Sequence, residues 1–196
     1  VGAGWSTDQA LQPFIADTPH GRLAIFAFAE EGGTAPDATD ADAGICALNM
    51  ANVSAARILA REQGVDWIVA AIHWGNNYSG VLPAQETWAR RLADNDFNLI
   101  VGTGPHILQR IEIIGRTPVI YSLGNFVFQT AGRFTDSAPG YGVIAATILG
   151  PRGFREIRLM PIETDNEVVE YRPRPCEPVL ARQVLEPLWP SIQMEG

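Results

Sequence analysis

Apolar runs separated by polar or glycine-rich breaks recur along the chain. Residues 22–29, RLAIFAFA, read as a buried strand, as do residues 67–72, WIVAAI, and 98–101, NLIV. Two segments between these runs carry a helical period instead. Residues 52–63 predict a helix with Val53, Ala56, Ile58 and Leu59 on its buried side and Gly64 as its C-terminal stop. Residues 83–94 predict a second, with Trp88, Ala89 and Leu92 as its apolar face. Pro83 suits its first turn, where an N–H is not needed. Helix, strand, helix, strand in this order predicts an α/β sheet with parallel strands.

Further on the pattern changes. Residues 111–114 and 118–123 flank GRT, and residues 141–149 and 154–162 flank GPRG, so each pair predicts an antiparallel hairpin. From residue 163 to 196 the chain reads as an extended, Pro-rich tail, YRPRPCEP at its centre, followed by a short helix over 179–188. The stretch 30–44, EEGGTAPDATDADAG, is a long polar loop. No internal repeat or low-complexity segment is visible.

A chain of 196 residues buries enough surface to fold without staples. Nothing in it approaches the ~20 apolar residues of a membrane-spanning helix. The start, VGAGW, has neither the basic nor the apolar part of a signal peptide and no initiator Met, which suggests a processed chain or a piece of a longer one. The formal net charge is −8, with 14 Arg and no Lys. That balance argues against a broad nucleic-acid footprint but leaves small anionic ligands open. Cys46 and Cys176 match no zinc spacing; two free thiols and a single disulfide both remain open.

Candidate chemistry gathers where strands end, because ligands of parallel α/β sheets bind beyond the carboxyl ends of strands. His73 closes one strand and opens HWGNNYSG; GTGPH, ending in His106, follows another. Each is compatible with an ordinary strand end, but together two such ends bring two imidazoles toward one ion. A dinucleotide fingerprint is not supported: its third glycine falls on Ile107, and Pro105 interrupts the turn. No G-x-S-x-G elbow is present. Asn125, next to Gly124 in YSLGNF, either binds ligand or shapes a turn. Glu30 and Glu31 after the first strand offer carboxylates or simply solvate the loop. Tyr78, Gln85 and Arg90 are possible pocket residues with ordinary surface or packing alternatives.

The segments AAIHWGNNY, GTGPHILQRIEI and PVIYSLGNFVF, in this order and spacing, resemble the bacterial capsule-synthesis CapA family, the poly-γ-glutamate biosynthesis family. The opening VGAGWSTDQALQPF and the tail RPRPCEPVLARQVLEPL are similar to the family's corresponding segments. The resemblance implies a metallophosphoesterase-like layered αββα sandwich, of which residues 1–196 form the C-terminal half. The βαβ unit is then followed by antiparallel hairpins. It implies His73 and His106 as metal ligands, Asn125 at the reacting site, and one or two divalent transition metal ions (Mn, Zn or Fe). Gly104 stands where the family has a further His, and Asn77 where it has a Glu. Both changes remove a group that binds or orients metal.

Two function classes follow from the resemblance. One is a metal-dependent hydrolase or transferase acting on phosphoester or γ-glutamyl-type substrates. The other is a non-catalytic component that binds or assembles an anionic polymer, with Arg90, Arg91, Arg110, Arg116 and Arg133 as candidate carboxylate partners. Nucleic acid is not an expected partner. The missing N-terminal half of the domain and a membrane-bound biosynthetic complex are. A third possibility is a split or cleaved protein whose half is stable only with its other half. The resemblance places the protein at the cell envelope or outside the cell.

Overall fold

The computed structural model describes residues 1–33, 35–128, 134–136, 138–150 and 153–189. Strand β1 (Ala3–Gly4), helix α1 (Thr7–Ala10), β2 (Phe14–Thr18) and β3 (Gly21–Glu30) come first; only β3 is announced by its apolar run. After the polar loop, β4 (Gly44–Ile45) pairs with β1, and β5 (Ala47–Leu48) runs parallel to the end of β3. Then α2 (Met50–Glu62), β6 (Trp67–His73), α3 (Pro83–Asp94) and β7 (Leu99–Thr103) alternate as the sequence pattern predicts. The first predicted hairpin is β8 (Ile111–Ile114) with β9 (Thr117–Ile120), and the second is β10 (Tyr141–Gly150) with β11 (Gly153–Glu163). Residues 151–152 of its turn lie outside the described residues. The tail carries α4 (Asn166–Val169), β12 (Arg174–Pro175), which pairs with β11, and α5 (Pro178–Leu185).

The main sheet has the order β2-β3-β6-β7-β9-β8, with β5 beside β3. Strands β3, β6, β7 and β9 are parallel; β2 and β8 close the edges antiparallel. Register aligns the strand ends: Ala29 faces His73, and His73 faces Thr103.

Helices α2 and α3 cover the sheet face that bears Ala24, Phe26, Phe28, Ala70, Ile72 and Ile100. Phe97 meets Phe26 and Phe28 edge-on at 6.3 and 6.2 Å. Each buried ring is worth roughly 1.5–3 kcal/mol, whereas an exposed ion pair such as Arg22–Asp17 is screened by solvent and adds little. The core, not the surface charge, therefore holds this layer together. The second sheet, β10-β11-β12, is tied to the first where the Trp67 indole donates to the Gly150 carbonyl (2.9 Å) and the Val143 amide to the Leu123 carbonyl (2.9 Å). Helix α5 packs on β11.

Local chemistry explains the helix ends. The Asn49 side chain accepts from the Asn52 amide at 3.0 Å and caps α2. Gly64, at φ +64°, ends it, with the Val65 amide reaching back to Ala60. Val53, Ala56 and Ala60 are buried, but Ile58 is 56% exposed. It sits about 200° around the helix from Ala56 and belongs to the solvent side.

Candidate functional site

The loops that follow β6, β7 and β9 converge at the carboxyl ends of adjacent parallel strands. They are the three segments HWGNNYSG, GTGPH and YSLGNF. Their backbones are locked together. The Tyr78 amide donates to the Pro105 carbonyl (2.8 Å), Trp74 to Thr103 (2.9 Å), and Leu123 to Gly102 (3.2 Å). Trp74 is buried, stacks on Tyr121 at 5.7 Å, and donates its indole N–H to the Tyr121 carbonyl at 2.8 Å. The indole fills the floor between loops and is not a ligand group. Gly102 exists to admit it: a Cβ there would lie 2.1 Å from the Tyr121 oxygen and 2.3 Å from the Trp74 indole nitrogen.

His106 adopts φ +63° and Tyr78 φ +56°, a left-handed backbone that non-glycine residues adopt mostly where surroundings force it. The His106 ring stacks obliquely on Phe128 (4.5 Å) and Tyr78 (5.8 Å), and Tyr78 meets Phe134 edge-on at 6.2 Å. Its Nδ1 lies 2.9 Å from Oδ1 of Asn125. With Oδ1 facing the ring, Nδ1 carries a hydrogen and donates, and in the neutral imidazole the lone pair then sits on Nε2. Asn125 is pinned from the other side. Gly124 (φ +69°) bridges to Gly142, and a Cβ at 142 would stand 2.0 Å from the Asn125 carbonyl. The structure thus joins His106 to Asn125 directly.

His73 lies at the exposed end of β6, opposite Thr103, and its side chain makes no hydrogen bond or ring contact with another described residue. Glu30 ends β3 on the same strand-end row, one position beyond Ala29. Glu31 is engaged by the Asn49 amide at 3.1 Å. Among the described residues no three His, Cys, Asp or Glu side chains are grouped closely enough to hold a metal ion. The fit to a metal is therefore partial. The chain offers two imidazoles, one of them already oriented. Gly104 adopts φ +121°, and a Cβ there would meet the Trp74 carbonyl at 2.4 Å. The local backbone is shaped to glycine, so more than a side chain separates it from a histidine. Asn77 is exposed.

Sequence reasoning left the role of Gln85 open, and the structure places it in the interior. It is 1% exposed, accepts from the Leu82 amide at 2.9 Å, and donates to Gln109 Oε1 at 3.0 Å. Gln109 donates in turn to the Ser79 carbonyl at 2.9 Å, so this pair fastens the β6 and β7 loops to α3. Gln109, Phe128 and Phe134 were not singled out from sequence; nothing in their local pattern distinguishes them from ordinary core or loop residues. Arg110 is already paired with Glu86 (2.6 Å) and lies over the Tyr121 ring at 4.8 Å, and Arg91 lies over Trp88 at 4.7 Å. Arg90 and Arg116 are exposed, and Arg133 lies outside the described residues. Cys46 and Cys176 are both free; burial pushes the Cys46 thiol up to about 11.

Beside the His106 loop opens a cleft of about 740 Å³, lined by Ile107, Leu108, Phe134 and Tyr141 on one side and by α5 on the other. Its charged lining residues are Asp136, Glu163 and Asp165. Glu163 pairs with Arg174 at 2.7 Å and Asp165 caps α4. No described helix is long and apolar enough to cross a membrane.

The fold is that of the metallophosphoesterase and 5′-nucleotidase type, a layered α/β sandwich. The chain superimposes on the NAD nucleotidase of Haemophilus influenzae with a TM-score of 0.50 at 14% identity, covering 92% of this chain and 37% of that one. With the sulfate thiohydrolase SoxB of Thermus thermophilus the TM-score is 0.51 at 15% identity, covering 89% and 28%. Residues 1–130 match the model of the bacterial capsule synthesis protein PGA_cap, and the chain belongs to that family. It is 32% identical over 141 residues to the PGA biosynthesis protein CapA of Bacillus subtilis, an alignment that takes in 70% of this chain and 37% of that protein's length. The family match includes HWGNNYSG, GTGPH and YSLGNF; the tail lies beyond it.

Proposed function

We propose that this chain forms part of a metal-assisted hydrolase or transferase of capsule or poly-γ-glutamate biosynthesis, acting on phosphoester or γ-glutamyl-type substrates at the cell envelope. The observation that carries this reading is the His106–Asn125 pair: an imidazole held with a free Nε2, at the convergence of three strand-end loops. His73 and His106 would hold a divalent transition metal (Mn, Zn or Fe), which when bound supplies Lewis acidity toward a phosphoryl or acyl oxygen. The protein's own residues orient and shelter. Asn125 fixes the ring, Tyr78 and Phe128 exclude water from one side of it, and the Gln85–Gln109 pair keeps the loops in register. The partners this reading requires are the substrate and the remainder of the metallophosphoesterase-like domain, of which these residues are the C-terminal portion. The domain would work within a membrane-bound biosynthetic complex.

A second reading, a non-catalytic binder of an anionic polymer, draws support from the glycine-shaped backbone at Gly104 and from the absence of a third donor among the described residues. The cleft beside the site offers such a polymer no cation among its described lining residues, so binding there would draw on exposed arginines elsewhere, Arg90 and Arg116 among them. Elemental mass spectrometry of the protein after exposure to manganese, zinc or iron separates the two. The first reading expects bound metal that is lost in His106→Ala and His73→Ala. Metal absent from the unaltered protein, with polymer retention at low salt, would replace it with the second.

A further inference from the structure

Asn125 is 9% exposed, its Nδ2 is shielded, and that nitrogen has no hydrogen-bond partner among the described residues. The other buried side-chain atoms in this state among the described residues are oxygens, Asp37 Oδ1 and Thr164 Oγ1. An unpaired buried N–H costs roughly 1–3 kcal/mol and is rarer in folded proteins than an under-satisfied oxygen. The opposite amide orientation would leave an oxygen unpaired instead. It would also direct Nδ2 at the His106 ring, consume the Nδ1 lone pair and put the ring hydrogen on Nε2. Gly124 and Gly142 hold the Asn125 backbone closely in place.

We propose that Asn125 positions His106 and binds a ligand oxygen with the two ends of one amide. Its Oδ1 accepts from His106 Nδ1–H and holds the ring in the tautomer with the lone pair on Nε2. Its Nδ2 donates to an anionic phosphoryl or carboxylate oxygen; this choice of ligand class rests on the reading above. Tyr78 and Phe128, both half-buried, lie against the ring. The orphaned donor is thus the unfilled half of a binding contact.

Two nitrogen-NMR measurements on the metal-free protein in alkaline buffer test this without reference to turnover. Long-range correlation spectra should show His106 hydrogenated at Nδ1 in the unaltered protein and in Asn125→Asp, whose carboxylate still accepts. Asn125→Ala should revert to hydrogen on Nε2. Titration with inorganic phosphate should move the Asn125 side-chain N–H resonances, and affinity should weaken about tenfold or more in both variants, since neither can donate. Hydrogen on Nε2 in the unaltered protein overturns the positioning role. Phosphate binding that leaves the Asn125 amide unmoved, or that survives in both variants, overturns the donor role. Failure to bind metal would count against the proposed function and leave both of these outcomes readable.

Discussion

The two ends of the parallel sheet differ in how completely their polar side chains are paired. At the amino end three such groups close backbone contacts. Asp66 accepts from the Arg22 amide (2.7 Å), Asn98 from the Ile68 amide (2.7 Å), and the Thr117 hydroxyl donates to the Phe97 carbonyl (2.7 Å). Arg57 reaches across to Asp96 at 2.5 Å. At the carboxyl end Asn125 holds a histidine yet leaves its own N–H unpaired, and His73 stands free of polar partners among the described residues. Two of the chain's left-handed non-glycine residues, Tyr78 and His106, lie there too. A polar group that completes the backbone serves the fold. One left incomplete at a cost in stability is a candidate to meet a ligand.

Substitutions test this contrast. The largest effect is expected at Gly102→Ala, where the new methyl would overlap the Tyr121 carbonyl and the Trp74 indole. Loss of about 3 kcal/mol in denaturant unfolding is expected, and a change within about 0.5 would show that the loop floor is not packed as described. Gly104→His should cost about 1–3 kcal/mol and gain no metal, because φ +121° and the Trp74 carbonyl oppose any side chain. Tighter metal binding in that variant, read by calorimetry, would instead mean that glycine merely lacks the ligand.

The two asparagines give the sharpest comparison. Asn98→Ala removes the acceptor for the Ile68 amide and should lose about 1–2 kcal/mol without touching ligand binding. Asn125→Ala removes an unpaired donor along with the His106 contact, so its stability change should stay below about 1 kcal/mol while ligand response is lost. Equal stability losses at the two positions would erase the distinction between the ends of the sheet.

The smallest effect concerns pH. Burial first, then its hydrogen bond to Glu112 (2.6 Å), raises Tyr121 above its ordinary 10.0. The folded form holds this proton more tightly than the unfolded chain does. Its contribution is full below pH 10 and lost as alkali ionises the buried phenol. Tyr121→Phe should lose about 1 kcal/mol near neutral pH and show a flatter alkaline limb in stability against pH.

The alternation of β3, α2, β6, α3 and β7 was legible in the sequence, because each has an apolar period or run long enough to outweigh its surroundings. Both hairpins were legible too, through glycine-bearing turns between apolar segments, and the sequence marked His73, His106 and Asn125 through their place after strands. The short pieces β1, α1, β2 and α4 were not legible, because elements of a few residues are decided by pairing and packing rather than by periodicity. Nor was the join between His106 and Asn125, which are 19 residues apart and meet at 2.9 Å only because β7 and β9 lie side by side. Local chemistry wrote the elements and placed candidate groups at their ends. Which of those groups face one another, and which is left without a partner, depended on strand order and on the close approach that Gly102, Gly124 and Gly142 allow, and these exist only once the chain is folded.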